Sequence, residues 1–144
     1  MISIIVPAYN EEKSIPIFFE ETEKIRHQMT EQFEYIFVND GSKDKILSVL
    51  KALYHANDNV HYIDFSRNFG KEAALLAGLS QAKGDFVAVM DADLQDPPEM
   101  LIEMHKLLTS GEYDVVGTRR VSRDGEPPIR SLFARLFYVM INKI

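Results

Sequence analysis

Short, nearly continuous apolar runs alternate along the chain with segments whose apolar residues recur every three to four positions. The runs fall at residues 2–6, 35–38, 60–65, 86–90 and 114–117. Their length and flanks predict strands. Helices are predicted between them, over about residues 15–29, 45–55, 71–82 and 97–110, and from about 129 to the end. The second helix shows the period well, with Ile46, Val49, Leu50 and Leu53 on one face. Ser14 is placed to cap the first helix, with Pro16 tolerated in its first turn. Asp96 is placed to cap the fourth at Pro97, with Glu99 three positions on. Strict alternation of strand and helix implies an α/β domain, a mostly parallel sheet with helices on both faces.

In such sheets ligands lie beyond the carboxyl ends of the strands, where the strand order switches direction. An order beginning 3-2-1-4 puts strands one and four beside that switch. The loops after these two strands are polar: Tyr9-Asn10-Glu11-Glu12, and Asp91 through Asp96. Asp91 and Asp93 are two apart at a strand end, so their side chains point the same way. Two carboxylates side by side repel and favour a cation. Mg²⁺ or Mn²⁺ is the expected ion, with diphosphate oxygens and water completing its shell. Gln95 offers a further neutral oxygen; Asp96 reads as the helix cap.

The other segments are less specific taken singly. Asp40, in Val38-Asn39-Asp40-Gly41-Ser42, can accept a hydrogen bond from the imide N–H of uracil or from guanine's Watson–Crick edge, or it can simply open a turn. Within Pro7-Ala8-Tyr9-Asn10-Glu11, Tyr9 can face a base or ribose and Glu11 can bond ribose hydroxyls; an ordinary loop would look the same. Arg67-Asn68-Phe69-Gly70-Lys71 opens the third helix, where backbone N–H groups and the Lys71 charge suit a phosphate. Ala73, Ala74, Ala77 and Gly78 thin one side of that helix, which equally suits close packing on the sheet.

Composition narrows the picture. The chain of 144 residues fits one domain. It has no cysteine, so neither a disulfide nor a thiolate metal site arises from it. The net charge of -6 is unevenly spread. Residues 1–118 carry ten Lys and Arg against twenty Asp and Glu, whereas 119–144 carry six against two. The basic segment, with Arg119, Arg120, Arg123, Arg130 and Arg135, reads either as a solvated face or as a surface for phosphate or an anionic membrane. A nucleic-acid partner does not fit a largely acidic chain without an aromatic-rich basic stripe. The first apolar run stops at Pro7, unlike a signal peptide. The last, residues 132–144, is interrupted by Arg135, Asn142 and Lys143 and is too short to span a bilayer.

Taken together, Ser3 through Glu11, Val38 through Ser42 and Gly84-Asp85 through Asp93 resemble family 2 glycosyltransferases of the GT-A (Rossmann-like, nucleotide-sugar-binding) fold, over essentially the whole chain. Asn68-Phe69-Gly70-Lys71-Glu72-Ala73-Ala74 and Asp91 through Glu99 are similar to the polyprenyl-phosphate branch, which includes dolichyl-phosphate mannose synthase and bactoprenol glucosyltransferases.

The resemblance implies roles. Pro7, Tyr9, Glu11 and Asp40 would hold the nucleoside, with Ala8, Asn10, Gly70, Lys71 and Ala92 as neighbours in the donor site. Asp91, Asp93 and Gln95 would hold the metal. Arg119 and Arg130 would lie near the donor or acceptor phosphates. The implied reaction is an inverting displacement that moves a sugar from a UDP- or GDP-sugar to a polyprenyl phosphate. Its implied place is the cytoplasmic face of the membrane. Relatives continue past this C-terminus, so residues 1–144 are expected to be a truncated donor domain, with 119–144 as a basic acceptor-side or membrane-proximal segment. The apolar side of the last helix is expected to promote self-association.

Two other readings stay open: transfer to a saccharide hydroxyl, and a nucleotide-binding piece without turnover. A nicotinamide enzyme is disfavoured by the lack of GxGxxG after strand one. A dehalogenase-like phosphatase is disfavoured because its Asp-x-Asp follows the first strand, not the fourth.

Overall fold

The structure is a computed structural model that describes residues 1–118. Four parallel strands form one sheet: β1 (Ile2–Ala8), β2 (Phe33–Asn39), β3 (Val60–Asp64) and β4 (Phe86–Val89). Their order is β3-β2-β1-β4, so the expected switch beside β1 is present. Parallel neighbours need crossover connections. Here these are α1 (Ser14–Arg26), α2 (Ile46–Ala56) and α3 (Lys71–Gln81), and α4 (Met100–Thr109) follows β4.

The two central strands are buried on both faces, which is why they are apolar at nearly every position. On one face Ile4, Val6, Tyr35 and Phe37 meet Ile15 and Phe18 of α1, Ile46 and Leu50 of α2, and Leu101 of α4. Tyr35 and Phe37 stack at 6.1 Å, with Phe18 edge-on to Phe37 at 6.3 Å. Burial pushes the Tyr35 hydroxyl well above its usual range, so it stays a neutral donor to Glu23.

On the other face Ile36 and Val38 pack against Ala74 of α3. The thin side of α3 is therefore a packing surface, and Gly78 is its closest point. A Cβ there would stand 2.4 Å from Ile5 Cγ2. Beyond α3 the same face of β4 is open, with Val87 and Val89 exposed.

Three expectations are corrected. Residues 114–117 form no strand among the described residues, and Val115 is 85% exposed. Two valines supply little apolar surface, and only Val116 of the pair is partly buried. Asp96 does not cap α4, which starts at Met100 without a side-chain cap bond. The residue before a proline avoids the helical region, and Pro97-Pro98 imposes this on both Asp96 and Pro97. Nor does Ser14 cap α1. It is the first helical residue, and its hydroxyl donates to Glu11 Oε2 at 2.6 Å. Helix α4 does end where expected, before Gly111 at φ +78°.

Gly78→Ala tests the α3 packing. Alanine normally favours a helix over glycine by about 1 kcal/mol. Here the new methyl meets a β-branched side chain on a buried strand, and such overpacking typically costs about 1–3 kcal/mol. Urea denaturation is expected to show net destabilisation; a gain in stability would mean that α3 sits farther from β1.

Candidate functional site

The site grows from the carboxyl ends of β1, β2 and β4 and the start of α3. A cleft of about 340 Å³ opens there. Pro7, Ala8, Tyr9 and Glu11 line it from the β1 end, Asp40 from the end of β2, Gly70 and Lys71 from α3, and Asp91, Ala92 and Asp93 from the end of β4. Ten of the residues singled out from sequence thus meet in one place.

Asn68 and Ala74 join them, both from segments singled out around the start of α3 but neither assigned an individual role there. Ala74 lies one helical turn beyond Lys71, on the same side of α3, and its small side chain leaves room in the cleft. Asn68 is brought in by a close approach of two loops. Gly41, at φ +64°, lies so near that a Cβ would stand 2.4 Å from Asn68 N and 2.2 Å from the Arg67 carbonyl carbon. A glycine two residues past a strand was the available signal, but its partner is distant in sequence.

Asn10 and Gln95 are not among the cleft-lining residues. The Asn10 side chain is structural: its Oδ1 accepts the Lys43 N–H at 2.9 Å, while the Asn10 backbone N–H donates to Ser42 Oγ at 2.9 Å. Glu12 extends the tie, donating its N–H to Asp44 Oδ2 at 2.9 Å and accepting the Lys45 N–H at 2.7 Å. The loops after β1 and β2 are thereby one unit. Arg119 and Arg130, with the rest of 119–144 and its predicted helix, lie outside the described residues.

Asp40 is buried, and its carboxylate accepts two backbone N–H groups, Phe69 at 2.7 Å and Gly70 at 3.0 Å. These bonds fix the start of α3. The Gly70 N–H, expected to face a phosphate, is therefore already engaged by Asp40. A carboxylate has about four acceptor positions, so it can still receive a ligand N–H.

Across the cleft, Lys71 Nζ bonds both oxygens of Asp91, at 2.6 and 2.8 Å. Asp93 Oδ1 accepts the Gln95 N–H at 3.1 Å. The turn that follows Asp93 is strained. Leu94 has φ +57°, a left-handed conformation rare for a leucine, and is held there by packing on the core.

Among the described residues no group of three or more His, Cys, Asp or Glu is assembled for a metal. At the β4 side of the cleft stand two carboxylates, Asp91 and Asp93, the first paired with the Lys71 ammonium. That donor set fits an ion of the Mg²⁺ type, which is commonly bound by one or two carboxylates together with substrate phosphates.

The sequence model of glycosyl transferase family 2 matches residues 3–142. The chain belongs to that family. It is 39% identical over 143 residues to a prophage bactoprenol glucosyl transferase homolog of Escherichia coli, covering 99% of this chain and 46% of the relative. It is 38% identical over 143 residues to the undecaprenyl-phosphate 4-deoxy-4-formamido-L-arabinose transferase of Photorhabdus laumondii, covering 99% and 43%. The chain thus spans less than half the length of these curated relatives.

Among solved structures, a mannosyltransferase of Pyrobaculum calidifontis in complex with GDP-Man and Mn²⁺ superposes with a TM-score of 0.62 at 26% identity, over 83% of this chain and 35% of that one. The fold is that of the GT-A glycosyltransferases, as the sequence resemblance implied.

Asp40→Ala is expected to act on stability as well as on ligand binding, because it leaves two N–H groups at the start of α3 without their acceptor. Such a loss typically costs about 1–3 kcal/mol. Chemical denaturation checks this; an unchanged midpoint would mean that the 69–70 loop holds its place without the carboxylate.

Proposed function

We propose that the cleft binds a nucleoside-diphosphate sugar together with Mg²⁺ or Mn²⁺, and that the protein transfers the sugar, with inversion, to a polyprenyl phosphate. The observation that carries this reading is the convergence of Asp40, the α3 start and Asp91-Ala92-Asp93 on one cleft at the strand-order switch. Asp40 would receive the base through its remaining acceptor positions. Tyr9 and Glu11 would face the nucleoside. The N-terminus of α3 and Lys71 would meet the diphosphate.

The metal would be held by Asp91 and Asp93, with Gln95 as a further oxygen ligand. Bound there, such an ion neutralises charge on the departing diphosphate. In the reaction an acceptor oxygen attacks the anomeric carbon while its bond to the β-phosphate oxygen breaks. A phosphate acceptor is already anionic at neutral pH, so no strong base is required of the protein.

The names of the two bacterial relatives support a polyprenyl-phosphate acceptor, and the Mn²⁺ and GDP-Man of the archaeal structure support the metal and donor. The basic segment 119–144, with Arg119 and Arg130, would serve the acceptor side near a membrane surface and supply any contact between copies. No helix among the described residues is long and apolar enough to cross a membrane.

Thermal unfolding with UDP or GDP and their sugars, in Mn²⁺ or in EDTA, tests the donor side. A ligand at about 100 times its Kd should stabilise the fold by roughly 2.7 kcal/mol. Asp93→Asn is expected to remove most of the metal-dependent part. Equal shifts in Mn²⁺ and EDTA would sink the metal-dependent reading. The acceptor is tested by radiolabelled-sugar transfer, comparing undecaprenyl phosphate with oligosaccharides; label found only in saccharide would favour hydroxyl transfer.

A further inference from the structure

The contact between Lys71 and Asp91 needs its own explanation. It joins the first residue of α3 to the end of β4 across the mouth of the cleft, and it engages both carboxylate oxygens. Helix stability does not account for it. A cation in the first turn of a helix opposes the helix dipole, and the acidic residue of that turn is Glu72. Gly70 sets the geometry. Its φ of +98° and ψ of 159° lie in a region nearly closed to other residues, although a Cβ would meet nothing nearer than 3.6 Å. The bend, not lack of space, calls for glycine, and it directs the chain into α3 with Lys71 facing β4.

A divalent ion of the Mg²⁺ type sits about 2.0–2.1 Å from its carboxylate oxygens. The ammonium stands 2.6 and 2.8 Å from the two oxygens of Asp91. Both cations would crowd the same carboxylate edge and repel each other. Metal binding at Asp91 is therefore opposed while Lys71 stays there and is eased when the ammonium leaves. Lys71 is equipped to leave: both side chains are about half exposed, which keeps the pair weak, and the four-carbon stem of Lys71 is flexible.

Building on the donor-and-metal reading above, we propose that Lys71 is an exchangeable internal cation, occupying Asp91 in the empty cleft and transferring to the donor's diphosphate as the metal takes its place. Lys71 is then a positioning residue that links two binding events. Metal alone must displace an ammonium with nothing to receive it. Diphosphate alone must draw Lys71 away and leave Asp91 unneutralised beside an anion. Together each removes the other's obstacle, and such coupling is reciprocal.

The test measures free Mn²⁺ by electron paramagnetic resonance, with and without saturating UDP or GDP, in wild type, Lys71→Met, Asp91→Asn and Asp93→Asn. Lys71→Met keeps the stem and removes the charge at a half-exposed position, and circular dichroism confirms folding. Without nucleotide, Lys71→Met is expected to bind Mn²⁺ about two- to fivefold more tightly than wild type, the range set by an exposed ion pair. The factor by which nucleoside diphosphate tightens Mn²⁺ should shrink, and nucleotide affinity at saturating Mn²⁺ should fall. Asp91→Asn should weaken Mn²⁺ in both conditions. If Asp91→Asn weakens Mn²⁺ but Lys71→Met leaves affinity and coupling unchanged, the exchange is wrong while the metal site stands. If neither Asp91→Asn nor Asp93→Asn alters Mn²⁺ binding, the metal site and the exchange fall together.

Discussion

Two backbone N–H groups, those of Phe69 and Gly70, converge on the buried carboxylate of Asp40, and the position of α3 depends on that convergence. With the start of α3 fixed beside the end of β2, its first residue faces the end of β4, Ala74 and Ala77 face β2, and Gly78 faces β1. A charge-assisted pair of bonds in a protected site is stronger than its neutral equivalent. It also places a negative charge against the positive end of the helix. The same carboxylate lines the cleft. One residue thus organises the loop and turns its remaining acceptor positions to the cleft, so a substitution at position 40 changes both the loop and the cleft wall.

Around this tie the remaining loops are held by contacts between residues far apart in sequence. Asn10 and Glu12 bind the backbone of residues 43 and 45, and Asn39 donates to Asp64 at 2.7 Å. Side chains that could touch a ligand by type are consumed in building the wall. Asn10 is the clearest case. Its backbone also sits at φ +59°, which asparagine tolerates better than most residues. A polar residue in a strand-end loop has two employments, and its residue type does not distinguish them.

This explains what the amino-acid order made readable. Strands β1 and β2 are buried on both faces, and that burial writes an unbroken apolar run. The acids after β4 also follow an apolar run, although Val87 and Val89 are exposed, so their place at the cleft was visible in advance. Edge elements were less legible. Residues 114–117 have the composition of a strand but little apolar surface to hold one, and Pro97-Pro98 defers a helix whose capping residues were otherwise in place. Asn68 was hidden for another reason: it enters through the approach of residues 67–68 to Gly41, a contact that depends on the packed order of β2 and β3. The pairing of Lys71 with Asp91 was equally out of reach, since only the meeting of α3 and β4 creates it.

The electrostatics of the cleft follow from the same economy. Asp91 and Asp93 stand at its wall, among the described residues no third acid or histidine joins them into a closed metal cage, and an ammonium covers the first. On the proposed reading such a site would bind a divalent ion weakly by itself, because two exposed carboxylates replace only part of the ion's hydration shell. A third carboxylate would raise that affinity, but it would add negative charge where the diphosphate is proposed to lie. An open site would instead make the diphosphate itself a ligand, so that affinity for metal and affinity for donor would become one quantity. The strained turn at Leu94 directly follows Asp93 at this wall.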